Sequence, residues 1–83
     1  MGRLYTLQLA FMKKDVLVKF GSKVRERRLS LDLSQEELAS RAGVHRTYVG
    51  MVERAEKNVT LRNIERFANA LELSLDQLMH LDK

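Results

Sequence analysis

Between residues 34 and 54 the chain reads SQEELASRAGVHRTYVGMVER. Side chains able to form directed hydrogen bonds crowd there: Gln35, His45, Arg46, Thr47, Tyr48 and Arg54. Lys57, Asn58 and Thr60 continue the series just beyond it. Arginine offers a planar fork of donors, hydroxyls both donate and accept, and the amides of glutamine and asparagine do both. Such a set recognises polar edges and anions. The groups that make and break covalent bonds are missing. There is no cysteine and no glycine-rich phosphate loop, and neither His45 nor His80 has a nucleophile and an orienting acid near it in sequence. No catalytic residue is expected. Two histidines far apart make no metal site, and no cofactor or small-molecule ligand is expected either.

A recognition set needs a rigid support, and the apolar spacing supplies one. Leu17, Phe20, Val24 and Leu31 recur at helical intervals from about residue 15 to residue 31. Ser34 with Glu37 three positions later forms a capping box that opens a second short helix, with Leu38 and Ala39 inward. Gly43 ends it. A third helix runs from His45 or Arg46 to about Glu56, with Val49 and Val52 inward. Thr60 caps a fourth, striped by Leu61, Ile64, Phe67, Ala68 and Leu71, and Ser74 caps a fifth with Leu75, Leu78 and Met79. Five helices joined by short links predict an all-α domain.

Gly43 explains the arrangement of the second and third helices. Two helices crossing at roughly 90–120° through a turn of 3–4 residues need a sharp bend, and glycine enters the left-handed conformation without a side-chain clash. Ala39, four residues earlier, is small where the helices pass closely. With Val44, Val49 and Val52 turned inward, His45, Arg46, Thr47, Tyr48, Met51 and Arg54 are left on the outside. The protruding end of such a helix fits the major groove of DNA. Charge agrees: residues 1–57 hold 12 Lys and Arg against 7 Asp and Glu, whereas residues 58–83 hold 3 against 4. A basic front suits contact with a polyanion, although the same charge also serves solubility.

Eighty-three residues make one small domain, with 45% hydrophobic and 31% charged residues. No apolar run approaches the roughly 20 residues of a membrane span, and the N-terminal stretch lacks the pattern of a cleaved leader, so a cytoplasmic protein is expected. Residues 1–12 read as an extension, strand-like or disordered, before a domain at residues 13–83. Tyr5, Leu7, Leu9 and Phe11 alternate with Arg3, Thr6, Gln8 and Ala10. A paired strand, a loose segment, or a true start at Met12 all fit this stretch.

The stretch SQEELASRAGVHRTYVGMVER resembles the helix-turn-helix of lambda-repressor-like, Xre-type DNA-binding proteins. It has Gln opening the first helix, then Ala, then Gly, then the valine clamps. VRERRLSLDLS is similar to that family's first helix, and NVTLRNIERFANALELSLDQL to its fourth and fifth, so the likeness spans residues 20–79. Asp32 stands where the family usually has glycine. Within the family, HRTYVGMVERAEKNVTL is most similar to the small controller proteins of restriction-modification systems, which are dimers acting on operators near their own gene. The resemblance implies a five-helix fold with helices two and three as the helix-turn-helix, and a transcriptional regulator bound to a double-stranded operator. Other small Xre-type repressors, or an antitoxin or interaction module, share parts of the pattern.

On this reading Arg46 and Thr47 are the leading base readers. Tyr48 either contacts a base step or a phosphate, or packs half-buried on the first helix. His45 caps the third helix and is a candidate phosphate contact, and Gln35 meets a phosphate with its side chain and with the N–H groups at the start of the second helix. Met51 faces outward, and Arg54, Lys57, Asn58 and Thr60 are candidate contacts, the last two doubling as turn and cap residues. Glu53 is a salt-bridge or cap partner for Arg41 or a first-helix arginine. Lys19, Lys23, Arg27 and Arg28 are either phosphate attraction or a solvated face. Leu71, Leu73, Leu75, Leu78, Met79 and Leu81 are more apolar side chains than a short terminal helix hides, which predicts a homodimer interface, although apolar helices at a chain end also serve simply to finish the core. A two-fold dimer would place its third helices roughly 34–36 Å apart on a palindromic operator.

Overall fold

Each helix after the first starts where the sequence supplies a cap. Ser34, His45, Thr60 and Ser74 all hold extended backbone angles, and each accepts a hydrogen bond from an N–H of the turn it opens. The computed structural model describes the backbone of residues 2–81 and the side chains of residues 16–81. Its helices are α1 Gly2–Ser30, α2 Gln35–Ala42, α3 Arg46–Glu53, α4 Leu61–Ala70 and α5 Leu75–Leu78. At Ser34 the capping box is complete: Oγ accepts from Glu37 N–H at 3.0 Å, and Glu37 Oε1 accepts from Ser34 N–H at 2.8 Å. Ser74 and Gln77 repeat the device at α5.

The alternating pattern near the N-terminus does not give a strand. The backbone from Gly2 is helical and runs unbroken into the segment predicted to be α1. A lone strand leaves both its edges unpaired, whereas a helix satisfies its N–H and C=O groups within itself. Leu, Gln, Ala, Met and Lys in this stretch also favour helix. The side chains of that pattern lie outside the described ones.

The core joins Phe20 and Val24 of α1, Leu38, Ala39 and Ala42 of α2, Val49 and Val52 of α3, Phe67, Ala68 and Ala70 of α4, Leu71 beyond it, and Leu78 of α5. Helix α3 packs on both α1 and α2, so its two apolar faces are clamped and its remaining face is turned out. One member of the predicted α4 stripe fails. Leu61 is exposed, because it occupies the first position of α4, ahead of where the helix meets the body.

The links rely on left-handed residues. Gly43 has φ 71 and Asp32 φ 57, at the turns anticipated from sequence. Ala55 (φ 61) and Glu72 (φ 59) are left-handed too, with no glycine to signal them.

Candidate nucleic-acid interface

The bend at Gly43 sets the direction of α3. Its φ and ψ of 71 and 34 turn the chain at the end of α2, and Val44 N–H donates back to the Ala39 carbonyl at 3.0 Å. His45 then caps α3, its Nδ1 accepting from Thr47 N–H at 3.0 Å. With Val49 and Val52 fully buried on the inner side, Arg46 and Thr47 stand exposed in the first turn. Arg46 Nη1 lies 3.4 Å from Glu36 Oε2, and both side chains are well exposed. Arg54 pairs likewise with Glu56 at 3.1 Å. Exposed pairs of this kind stabilise little, and their arginines exchange partners readily. An open hollow lined by Ser34, Gln35, Glu36, Arg46, Thr47, Gly50 and Arg54 connects these groups across α2 and α3.

Beneath the hollow lies a buried carboxylate. Glu53 receives Arg28 Nε at 2.7 Å on one oxygen and Arg28 Nη2 at 3.0 Å on the other. Gln35 Nε2 donates to it as well, at 3.0 Å. The Glu53 side chain is 3% exposed. A buried charge is tolerated only when paired and fully hydrogen-bonded, and three donors from two helices meet that demand. The bond to Glu53 raises the Arg28 pKa against the opposing effect of burial. Arg28 Nη1 also donates to the Leu33 carbonyl at 2.8 Å, tying in the link before α2.

This network corrects two expectations. Arg28 is neither a solvated side chain nor an attractor of phosphate; it is a buried partner of Glu53. Arg41, the other partner considered for Glu53, reaches Glu72 instead. The Gln35 side chain donates to Glu53 while also lining the open hollow.

Lys23 and Arg27 hold α1 to the other end of the domain. Arg27 Nε donates to the Leu71 carbonyl at 2.9 Å, and Lys23 Nζ to the His80 carbonyl at 3.3 Å. Arg27 thereby satisfies a carbonyl left open where α4 ends.

Tyr48 is half-buried, as one of its two readings allowed, and it packs on α4. Its ring stacks on Phe67 with centroids 6.1 Å apart, and its hydroxyl accepts from Asn63 Nδ2 at 3.2 Å. Met51 is half-buried, while Lys57 and Asn58 are exposed. Thr60 caps α4 by accepting from Asn63 N–H at 3.1 Å.

On the far side the six apolar residues divide. Leu71 and Leu78 are fully buried within the chain, so they complete the core and present nothing to a second copy. Leu75 and Met79 are each 41% exposed, and Leu73 and Leu81 are half-buried. Leu78 joins the core cluster, whereas Leu75, at the first position of α5, stays on the surface.

Residues 24–78 match the helix-turn-helix family. The chain belongs to that family. Control protein C.BamHI of Bacillus amyloliquefaciens is 42% identical over 82% of this chain and 85% of its own length. Control protein C.SmaI of Serratia marcescens is 45% identical over 78% of this chain and 77% of its own. The crystal structure of the restriction-modification controller protein C.AhdI from Aeromonas hydrophila superposes with a TM-score of 0.73 at 50% identity, covering 75% of this chain and 94% of that one. The DNA-binding domain of the P22 c2 repressor gives 0.69 at 30% identity, over 72% of this chain and 79% of that one. The chain is therefore an Xre-type, DNA-binding regulator with the lambda-repressor-like fold, and its relatives are regulators, not enzymes. Among the described residues no helix is long and apolar enough to cross a membrane.

Some positions that shape the interface were silent in the sequence. Gly21 is one: a Cβ there would meet the Val52 carbonyl oxygen at 2.5 Å and that of Glu53 at 2.9 Å. Helices α1 and α3 therefore meet backbone to backbone at this point, and a glycine inside a helical stretch was the available signal. The Asn63–Tyr48 bond joins residues with no shared pattern, and nothing in the spacing announces it.

Proposed function

We propose that this regulator controls a restriction-modification system, binding as a homodimer to a palindromic operator in the cytoplasm. The observation that carries the reading is the exposed pair Arg46 and Thr47 at the N-terminal turn of α3, on a helix whose other faces are clamped. Arginine makes paired hydrogen bonds to guanine O6 and N7, worth about 1–3 kcal/mol of discrimination, and threonine reaches a neighbouring base. Arg54, Lys57 and Asn58, all exposed, flank the loop after α3 and suit phosphate contacts; Met51 borders the same face. His45 and Thr60 serve as caps that orient these helices, and Gln35, at the start of α2, is a candidate phosphate contact that also braces Glu53. Leu75 and Met79, with Leu73 and Leu81 beside them, are the surface offered to a second copy. The control proteins to which this chain is similar support the assignment to restriction-modification.

Selection of bound sequences from random duplexes tests it. The expected product is a palindrome with half-sites about 10–10.5 bp apart, found upstream of the protein's own gene beside a nuclease gene. Recovery of unrelated, non-palindromic sequences would contradict the homodimer reading.

A further inference from the structure

Tyr48 is aimed by a residue outside the helix-turn-helix. Its ring lies nearly parallel to that of Phe67, with 14° between the planes, and this restricts the C–O bond to that plane. At the end of that bond the hydroxyl accepts from Asn63 Nδ2 at 3.2 Å. Asn63 is itself placed by α4, in the first turn, with its N–H donated to Thr60 Oγ1. A phenol carries one proton and accepts through its oxygen. Because Asn63 supplies a donor, the tyrosine need not give its proton to that neighbour, and it retains it for an acceptor outside the protein. Tyr48 and Asn63 are both only half-buried, so the pair is not sealed within the core. A hydroxyl that is already accepting is polarised into a better donor. The acceptor-only group that a DNA-binding face meets most often is a phosphate oxygen.

We infer that Asn63 is a positioning residue for DNA binding: its donation to Tyr48 directs the tyrosine proton to a phosphate oxygen of the duplex. The inference rests on the DNA-facing surface proposed above and adds a residue on α4 to it. A contact of this kind strengthens binding to any sequence. The donor is neutral, so it displaces no counterion.

The test measures the affinity of the full chain for a mixed-sequence duplex across a salt series, for wild type, Tyr48→Phe, Asn63→Leu and the double variant. Each single change is expected to weaken binding about 10-fold, the scale of one hydrogen bond to a charged group. The double variant is expected to be no weaker than either single one, and the slope of log affinity on log salt to stay at the wild-type value. Melting followed by circular dichroism checks the fold. Asn63→Asp is the second variant: it keeps a polar group of the same shape in the first turn of α4 but draws the Tyr48 proton onto itself. It should weaken binding more than Asn63→Leu does, and adding Tyr48→Phe to it should cost nothing further. Wild-type affinity in Asn63→Leu, or losses that multiply in the double variant, would overturn the role of Asn63 while leaving the interface intact. Absence of wild-type binding at any salt would remove the interface itself.

Discussion

Arg28 of α1 and Glu53 at the end of α3 form a buried fork, Nε to Oε2 at 2.7 Å and Nη2 to Oε1 at 3.0 Å, and Gln35 of α2 donates to the same carboxylate. Three helices thus meet on one charge directly beneath the face that carries Arg46 and Thr47. The fork does more than fill space: it fixes the rotation of α3 about its axis, and so the direction in which its first turn points.

Removing the acid should therefore be costly. Glu53→Ala leaves the Arg28 guanidinium buried without its partner, a change that typically costs about 3–5 kcal/mol. In a domain of this size the melting temperature should fall by at least about 12 °C. A fall of only a degree or two in a thermal melt would mean that Arg28 swings out to water and the fork is dispensable.

The left-handed residue Ala55 gives a prediction of the opposite sign. Its φ of 61 strains an alanine, while glycine takes that angle freely. Ala55→Gly should raise stability by up to about 1 kcal/mol, measured by urea unfolding, despite the greater freedom it gives the unfolded chain. Gly43→Ala, at φ 71 with no atom near the added Cβ, should lower it by a similar amount from backbone strain alone. A stable Gly43→Ala protein would show that the bend does not depend on glycine.

These two positions mark how far the sequence could be read. Gly43 and Asp32 announce their turns, since glycine and aspartate are residues that visit the left-handed region. Ala55 and Glu72 do not, because tertiary packing forces the angle on residues that do not prefer it. The core was legible for the same local reason: Phe20, Val24, Leu38, Val49, Val52 and Phe67 recur at helical spacing, and all are buried. Periodicity gives the inner face of a helix but not which helix lies opposite. Hence spacing alone does not name Phe67 as the ring that Tyr48 stacks on, nor Glu53 as the carboxylate that Gln35 donates to. Composition likewise does not divide the apolar residues at the chain end, of which Leu71 and Leu78 finish the core.

That division of the leucines is itself testable. Leu78→Ala should cost about 2–5 kcal/mol of stability, because it opens a cavity in the core. Leu75→Ser with Met79→Ser should leave the fold intact and shift sedimentation equilibrium toward the monomer. A double variant that still sediments as a dimer would place the interface elsewhere.

Acid should loosen α2 before the rest. The Glu37 carboxylate is held below the usual glutamate range, first by the bond from Ser34 N–H and then by the Ser34 side chain. A carboxylate whose pKa is depressed by folding stabilises above its unfolded pKa and loses that contribution as pH falls through the folded value. Wild-type stability should therefore decline below the usual glutamate range, and Glu37→Gln, which keeps the capping box without the charge, should show a shallower decline in melts run across pH. Equal slopes would mean that the box carries no pH dependence.

The exposed turn of α3 decides the account. Arg46→Ala with Thr47→Ala, compared with wild type in a gel shift on the selected operator and on a scrambled duplex over a salt series, should abolish the preference for the operator. Helicity, dimer mass and a weak, salt-steepened binding to both duplexes should remain, since phosphate contacts persist. If the double variant still prefers the operator as wild type does, bases are not read by the first turn of α3, and the orientation imposed by Gly43 and the Arg28–Glu53 fork does not serve recognition.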